Sequence, residues 1–164
     1  MCLDFFQLAC QEPAITSAEF GLCDDQNGGR AYTDILDHNK WIATVKNNKE
    51  LSIIFTAIDK CVIQDNEYPG RGRCDCMLTT SKHLYFVELK DKFPPWQAEA
   101  IEQLESTVQF LLESNHDISQ FKLRKAYASN KKRDQFVVID NETNASFFRR
   151  TSFRLDIQAE VVML

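Results

Sequence analysis

A chain of 164 residues, 44% apolar and with twelve phenylalanines, has room for one domain, residues 1–164, around one core. No run of about 18 apolar residues occurs, which excludes a helical membrane span, and the start "MCLDFFQLACQEPA", with Asp4 and no basic segment, does not read as a secretion signal. A net charge of −5 argues against a general polyanion binder, although 10 basic and 19 acidic residues fall in 1–120 and 9 and 5 in 121–164, leaving a basic end on an acidic body.

The first clear loop is "DDQNGGR" at 24–30, and "AYTDILDH" after it could supply a short early helix. "WIATV" at 41–45 and "LSIIFTAI" at 51–58 are rich in β-branched residues and read as strands, with "KNNKE" joining them as a hairpin. "DNEYPGRGR" at 65–73 is a loop. "CDCMLTT" and "HLYFVELK" then form two strands about a "SK" turn. "PPWQAEAIEQLESTVQFLLESN" is the strong helix, with its prolines in the first turn. Its apolar stripe is Ala100, Ile101, Leu104, Val108, Leu111 and Leu112. "FKLRKAYAS" at 121–129, "QFVVID" at 135–140 and "SFRLDIQAEVVML" at 152–164 are the remaining strands. A strand, helix and strand in series imply an α/β crossover.

Six cysteines stand at 2, 10, 23, 61, 74 and 76. Cys74 and Cys76 flank Asp75 and are poorly spaced to bridge each other. The single C-x-C lacks a second pair at zinc-site spacing. Free thiols in a reducing cytoplasm are the expectation, and the sequons at Asn141 and Asn144 are then unused.

Strict alternation in "HLYFVELK" sets Leu84, Phe86, Glu88 and Lys90 on one face, with the charged pair about 6–7 Å apart at the mouth of the core. Asp75 approaches from the neighbouring strand. Two carboxylates suit Mg²⁺ or Mn²⁺, and a metal between them would polarise a phosphoryl group and acidify a bound water. Lys90 would orient that water or offset transition-state charge, and the main-chain carbonyl of Leu89 lies within reach of the metal. The plainer reading is an exposed ion pair worth at most about 1 kcal/mol.

The order Asp75, hairpin turn, "FVELK", a helix carrying Gln103, then "KLRKAYAS" resembles the PD-(D/E)xK phosphodiesterase superfamily, which includes restriction endonucleases and RecB-like nucleases. The resemblance covers about residues 51–130. It implies a restriction endonuclease-like α/β core, with a mixed central sheet flanked by helices and a divalent metal at its open end. "CD" stands where many members have "PD". Glu88 and Lys90 match the "ExK" half, Gln103 stands where many members have a helix glutamine, and Thr107 replaces the tyrosine of RecB-like members. The family's preceding helix glutamate has one candidate, Glu19, on a very short helix.

The function expected is metal-dependent phosphodiester hydrolysis on nucleic acid, with DNA the expected substrate. Arg71, Arg73, Lys122, Arg124, Lys131, Lys132 and Arg133 are the candidate phosphate contacts. The alternative is a nuclease-fold protein acting as a binding or regulatory subunit. A cleaving enzyme of this size is expected to work as a homodimer or in a larger complex, with "NASFFRRTSF" at 144–153 as one candidate interface and Phe147 and Phe148 divided between core and surface. His38, His83 and His116 have no ligand partners at suitable spacing, and His83 is expected at an exposed turn. Trp41 and Trp96 read as packing residues.

Overall fold

The computed structural model describes residues 3–132 and 139–164. Two mixed sheets and two helices make up a mixed α/β structure. The central sheet has five strands: β4 (Ile54–Ala57), β5 (Cys76–Thr79), β6 (His83–Lys90), β7 (Leu123–Asn130) and β8 (Arg154–Ile157), side by side in that order. β4, β5 and β6 are antiparallel neighbours, and β7 and β8 run parallel to β6. All eight residues of β6 are buried, as expected for a central strand covered on both faces.

The crossover from β6 to β7 is helix α1 (Gln97–Glu113). Ala100, Leu104, Val108 and Leu111 form its buried stripe, joined by Phe110. Leu112 does not belong to it and is 47% exposed, because it has turned past the face that meets β6 and β7. The helix begins after the prolines, with Trp96 at the capping position. Helix α2 (Asn141–Thr151) lies beside α1 and packs on β8. Its Asp140 cap accepts from the Thr143 amide at 2.8 Å. Phe147 enters the core while Phe148 stays half exposed, the division expected for this pair.

The other face of the central sheet carries a second sheet, not helices. Its order is β2 (Tyr32–Asp34), β1 (Glu19–Cys23), β3 (Ala43–Lys46) and β9 (Glu160–Val162). Tyr85 reaches across to donate to the Val162 carbonyl at 3.3 Å. Among the described residues, helices therefore flank one face of the central sheet. The expected β3–β4 hairpin is absent as well: β3 pairs with β1 and β9, and β4 pairs with β5, so "KNNKE" crosses between sheets. Asn47 makes that crossing, its side chain bonded to the Ser17 and Leu51 carbonyls and the Leu51 amide. "AYTDILDH" holds β2 and leads into a 3-10 turn, not an α-helix. Trp41 is a packing residue: a Cβ on Gly21 would meet its ring at 2.1 Å, so β1 can pass only as glycine there.

Two further expectations fail. His83 is fully buried, bonded to Thr80 Oγ1 at 2.6 Å and the Leu164 carbonyl at 2.7 Å, because the chain end folds over the hairpin. Cys10 and Cys61, 51 residues apart, form a disulfide, whereas Cys23, Cys74 and Cys76 are free and buried. Among the described residues no helix is long and apolar enough to cross a membrane. Most of "QFVVID" lies outside the described residues.

Candidate active site

β5 and β6 meet in register with Cys76 opposite Val87, so one further step outward sets Asp75 opposite Glu88. Glu88 leaves from the face that α1 covers, as does Lys90, whose Nζ meets Glu99 and Gln103 on that helix. Asp75 ends as an anchor: its Oδ2 accepts the Leu89 amide at 2.7 Å. In a strand, the N–H and C=O of one residue leave on the same side. The Leu89 carbonyl therefore also faces Asp75.

All three "D…ExK" side chains are buried, Asp75 and Lys90 at 8% exposure and Glu88 at 3%. The Asp75 and Glu88 carboxyls are close enough for each to shift the titration of the other. Burial pushes the Glu88 carboxyl up to about 7, against the pull of Lys90. Burial and the neighbouring Glu88 charge raise Asp75 well above the usual carboxylate range. Glu88 Oε1 is buried and has no hydrogen-bond partner, an unusual state for a carboxylate oxygen.

Lys90 sits in a cage. Its Nζ lies 3.1 Å from Glu88 Oε2 and 2.7 Å from both Glu99 Oε1 and Gln103 Oε1. Burial disfavours its charge, but Glu88 and Glu99 more than offset that, and its pKa rises. Gln103 therefore stands where the sequence placed it, one helical turn from Glu99. It can approach because residue 72 is glycine: a Cβ there would come within 3.2 Å of Gln103 Cγ. Thr107 accepts the Cys74 amide at 2.7 Å and thus ties α1 to the chain entering β5.

Two contributors escaped sequence reading. Asp24, just past the end of β1, lies near enough to Asp75 for its charge to push the Asp75 pKa up. Glu19, the expected third acid, begins the same strand and pairs with Lys46 instead. Glu99 is the other; its spacing of four from Gln103 on one helix face was the available signal.

The candidate phosphate contacts divide. Arg73 is close, bonded to Asp59 at 2.6 Å and Asp65 at 2.7 Å. Arg71 turns away to Glu113 at 3.0 Å and lies over the Phe110 ring. Lys131 and Lys132 follow β7 beside Lys90, and the Lys131 amide donates to the Lys90 carbonyl at 2.8 Å. Lys132 pairs with Asp91 and lies over the exposed Phe93 ring. Lys122 and Arg124 enter β7 at its other end, where Leu123 pairs with His83, about 20 Å from Lys90 along the strands. Arg133 lies outside the described residues.

Comparison with family models, with curated proteins and with solved structures finds no match for this chain.

Proposed function

We propose that this protein hydrolyses phosphodiester bonds in nucleic acid, DNA foremost, with Mg²⁺ or Mn²⁺ at a restriction endonuclease-like site. The observation that carries this reading is the convergence of the buried Asp75 and Glu88 carboxyls at one strand end, with Lys90 caged beside them. Two buried carboxyls side by side, Glu88 pushed up by burial and Asp75 by burial and the Glu88 charge, fit a hard divalent cation. Among the described residues no group of three or more His, Cys, Asp or Glu is placed to hold a metal. The residues that would hold the ion are Asp75, Glu88 and the Leu89 carbonyl. The order of β4 to β8, with α1 between β6 and β7, supports the core that the sequence resemblance implies.

The bound ion would supply Lewis-acid polarisation of a phosphoryl oxygen. The chain's own residues do the rest. With an ion bound, Glu88 and Asp75 would be ionised at one strand end, and Glu99 and Gln103 fix the Lys90 ammonium so that it would face the reacting phosphate without reorganising. Lys131, Lys132 and Phe93 offer phosphate contacts and a ring at the rim.

The second reading, a nuclease-fold chain acting by contact with a partner, is favoured by the Lys90–Glu88 ion pair, which occupies Glu88 Oε2. The Cys10–Cys61 bridge weighs against the cytoplasmic placement expected from the sequence, since disulfides persist in oxidising compartments.

The test is cleavage of labelled single- and double-stranded DNA and RNA with Mg²⁺, Mn²⁺ or chelator. Glu88→Gln and Lys90→Ala, with folding checked by circular dichroism, are run in parallel. Metal-dependent cleavage lost in both variants is expected. Cleavage that persists in chelator or survives both substitutions overturns the mechanism.

A further inference from the structure

At the far end of the central sheet the starts of β7 and β8 and the end of α2 enclose a pocket of about 350 Å³. Lys122, Arg124, Lys125 and Arg154 line it, together with Phe148, and no acidic residue does. Four cations thus gather on a chain of net charge −5. Lys125 is neutralised by Asp156 at 3.0 Å. Lys122, Arg124 and Arg154 have no acid within ion-pair distance among the described residues. Arg124 is held in place by the Phe121 and Ile118 carbonyls at 2.8 and 3.2 Å, which orient the guanidinium without cancelling its charge. The negative end of α2 attracts cations, but Arg149 and Arg150 already serve its last turn. Three of the four lining cations belong to the start of β7, so helix-end compensation does not account for the cluster.

Phe148 is 49% exposed among these charges. A half-bare aromatic ring beside several cations matches a single nucleic-acid strand, whose phosphates and base faces alternate. We propose that this pocket is a second nucleic-acid site, which binds the backbone of a single strand through Lys122, Arg124 and Arg154 and stacks a base on Phe148. It lies about 20 Å along the sheet from Lys90, so it anchors the strand away from the acids. The inference rests on nucleic acid being the substrate class.

The test is fluorescence anisotropy with a labelled oligothymidylate over a series of salt concentrations, in the Glu88→Gln background so that the probe stays intact. The double variant Lys122→Ala/Arg154→Ala should bind at least tenfold more weakly at low salt. Its log–log salt slope should be shallower by about 1.4, two phosphate contacts of a single strand. Phe148→Ala should weaken binding about tenfold while leaving the slope unchanged. These positions are solvent-exposed, and thermal melts check that the fold is kept. Unchanged affinity and slope in the double variant overturn the site. A charge effect with no Phe148 effect, and equal competition by heparin, overturn it as a nucleic-acid site in favour of a generic polyanion patch. Patch-dependent binding in a protein that cleaves nothing keeps this site and defeats the hydrolase reading; cleavage with no patch dependence does the reverse.

Discussion

The Leu89 amide donates to Asp75 Oδ2 at 2.7 Å. The bond fastens the entry of β5 to the exit of β6 through a side chain, just where regular pairing stops. It leaves Glu88 and Lys90 projecting on one side of that junction and the Leu89 carbonyl facing Asp75. The same carboxylate that closes the sheet lies beside Glu88, so two buried acids share this junction.

Metal-free protein should lose stability as pH rises from about 4.5 to 8. An acid whose pKa is raised on folding is protonated in the folded state and ionised in the unfolded state between the two values, so stability declines through that window. Glu88, raised from 4.5 to about 7, and Asp75, raised in the same direction, act together. Glu88 alone corresponds to a loss on the order of 3 kcal/mol. Urea unfolding at several pH values with chelator present should show the slope, and Glu88→Gln should flatten it. A stability flat from pH 5 to 8 contradicts the burial of both acids.

Mn²⁺ or Mg²⁺ should raise the melting temperature at pH 8, because an ion bound only by the folded state stabilises it by mass action. At one hundred times the dissociation constant the gain is about 2.7 kcal/mol. The shift should vanish in Glu88→Gln and shrink in Asp24→Asn, whose carboxyl lies near Asp75. Equal shifts in wild type and Glu88→Gln place the ion elsewhere.

Gln103→Ala should slow cleavage while leaving the Mn²⁺-dependent melting shift in place. Gln103 contacts Lys90 at 2.7 Å but neither Asp75 nor Glu88. The loss should fall on the chemical step, about tenfold for one positioning contact of roughly 1.4 kcal/mol. A variant that loses the melting shift along with the rate would show that Gln103 supports the carboxyl pair instead.

Leu104→Ala should cost about 2–5 kcal/mol, since Leu104 is fully buried between α1 and the sheet. Leu112→Ala, at a position 47% exposed, should stay within about 0.5 kcal/mol. Denaturant midpoints of the two variants separate the true stripe from the one that simple periodicity suggests.

Dithiothreitol should lower the unfolding midpoint of wild type and leave that of Cys10→Ser unchanged. Closing a loop between residues 51 apart contributes about 4 kcal/mol in the chain-entropy account. Equal sensitivity to reductant in both proteins would exclude the Cys10–Cys61 bridge.

Local pattern decided the strands of the central sheet, helix α1 and part of the site, but not β1, β2 or α2. Alternation in "HLYFVELK" places Glu88 and Lys90 on one face, a short turn returns Asp75 to them, and helical spacing brings Gln103 to the same end. Each of those relations spans a single strand, hairpin or crossover, whose geometry is set by nearby residues. The tertiary structure alone decided the remainder. Whether "KNNKE" turns back or crosses to another sheet depends on which strand edges are open, and no local residue records that. Cys10 and Cys61 meet because two distant segments pack together. Asp24 comes near Asp75 only once the second sheet packs on the first, and Lys122 and Arg124 prove remote because β7 runs parallel to β6. Burial, which raises the pKa of Asp75 and Glu88, is likewise a property of the assembled layers: a charge's cost depends on what excludes water from it, and those atoms come from the whole chain.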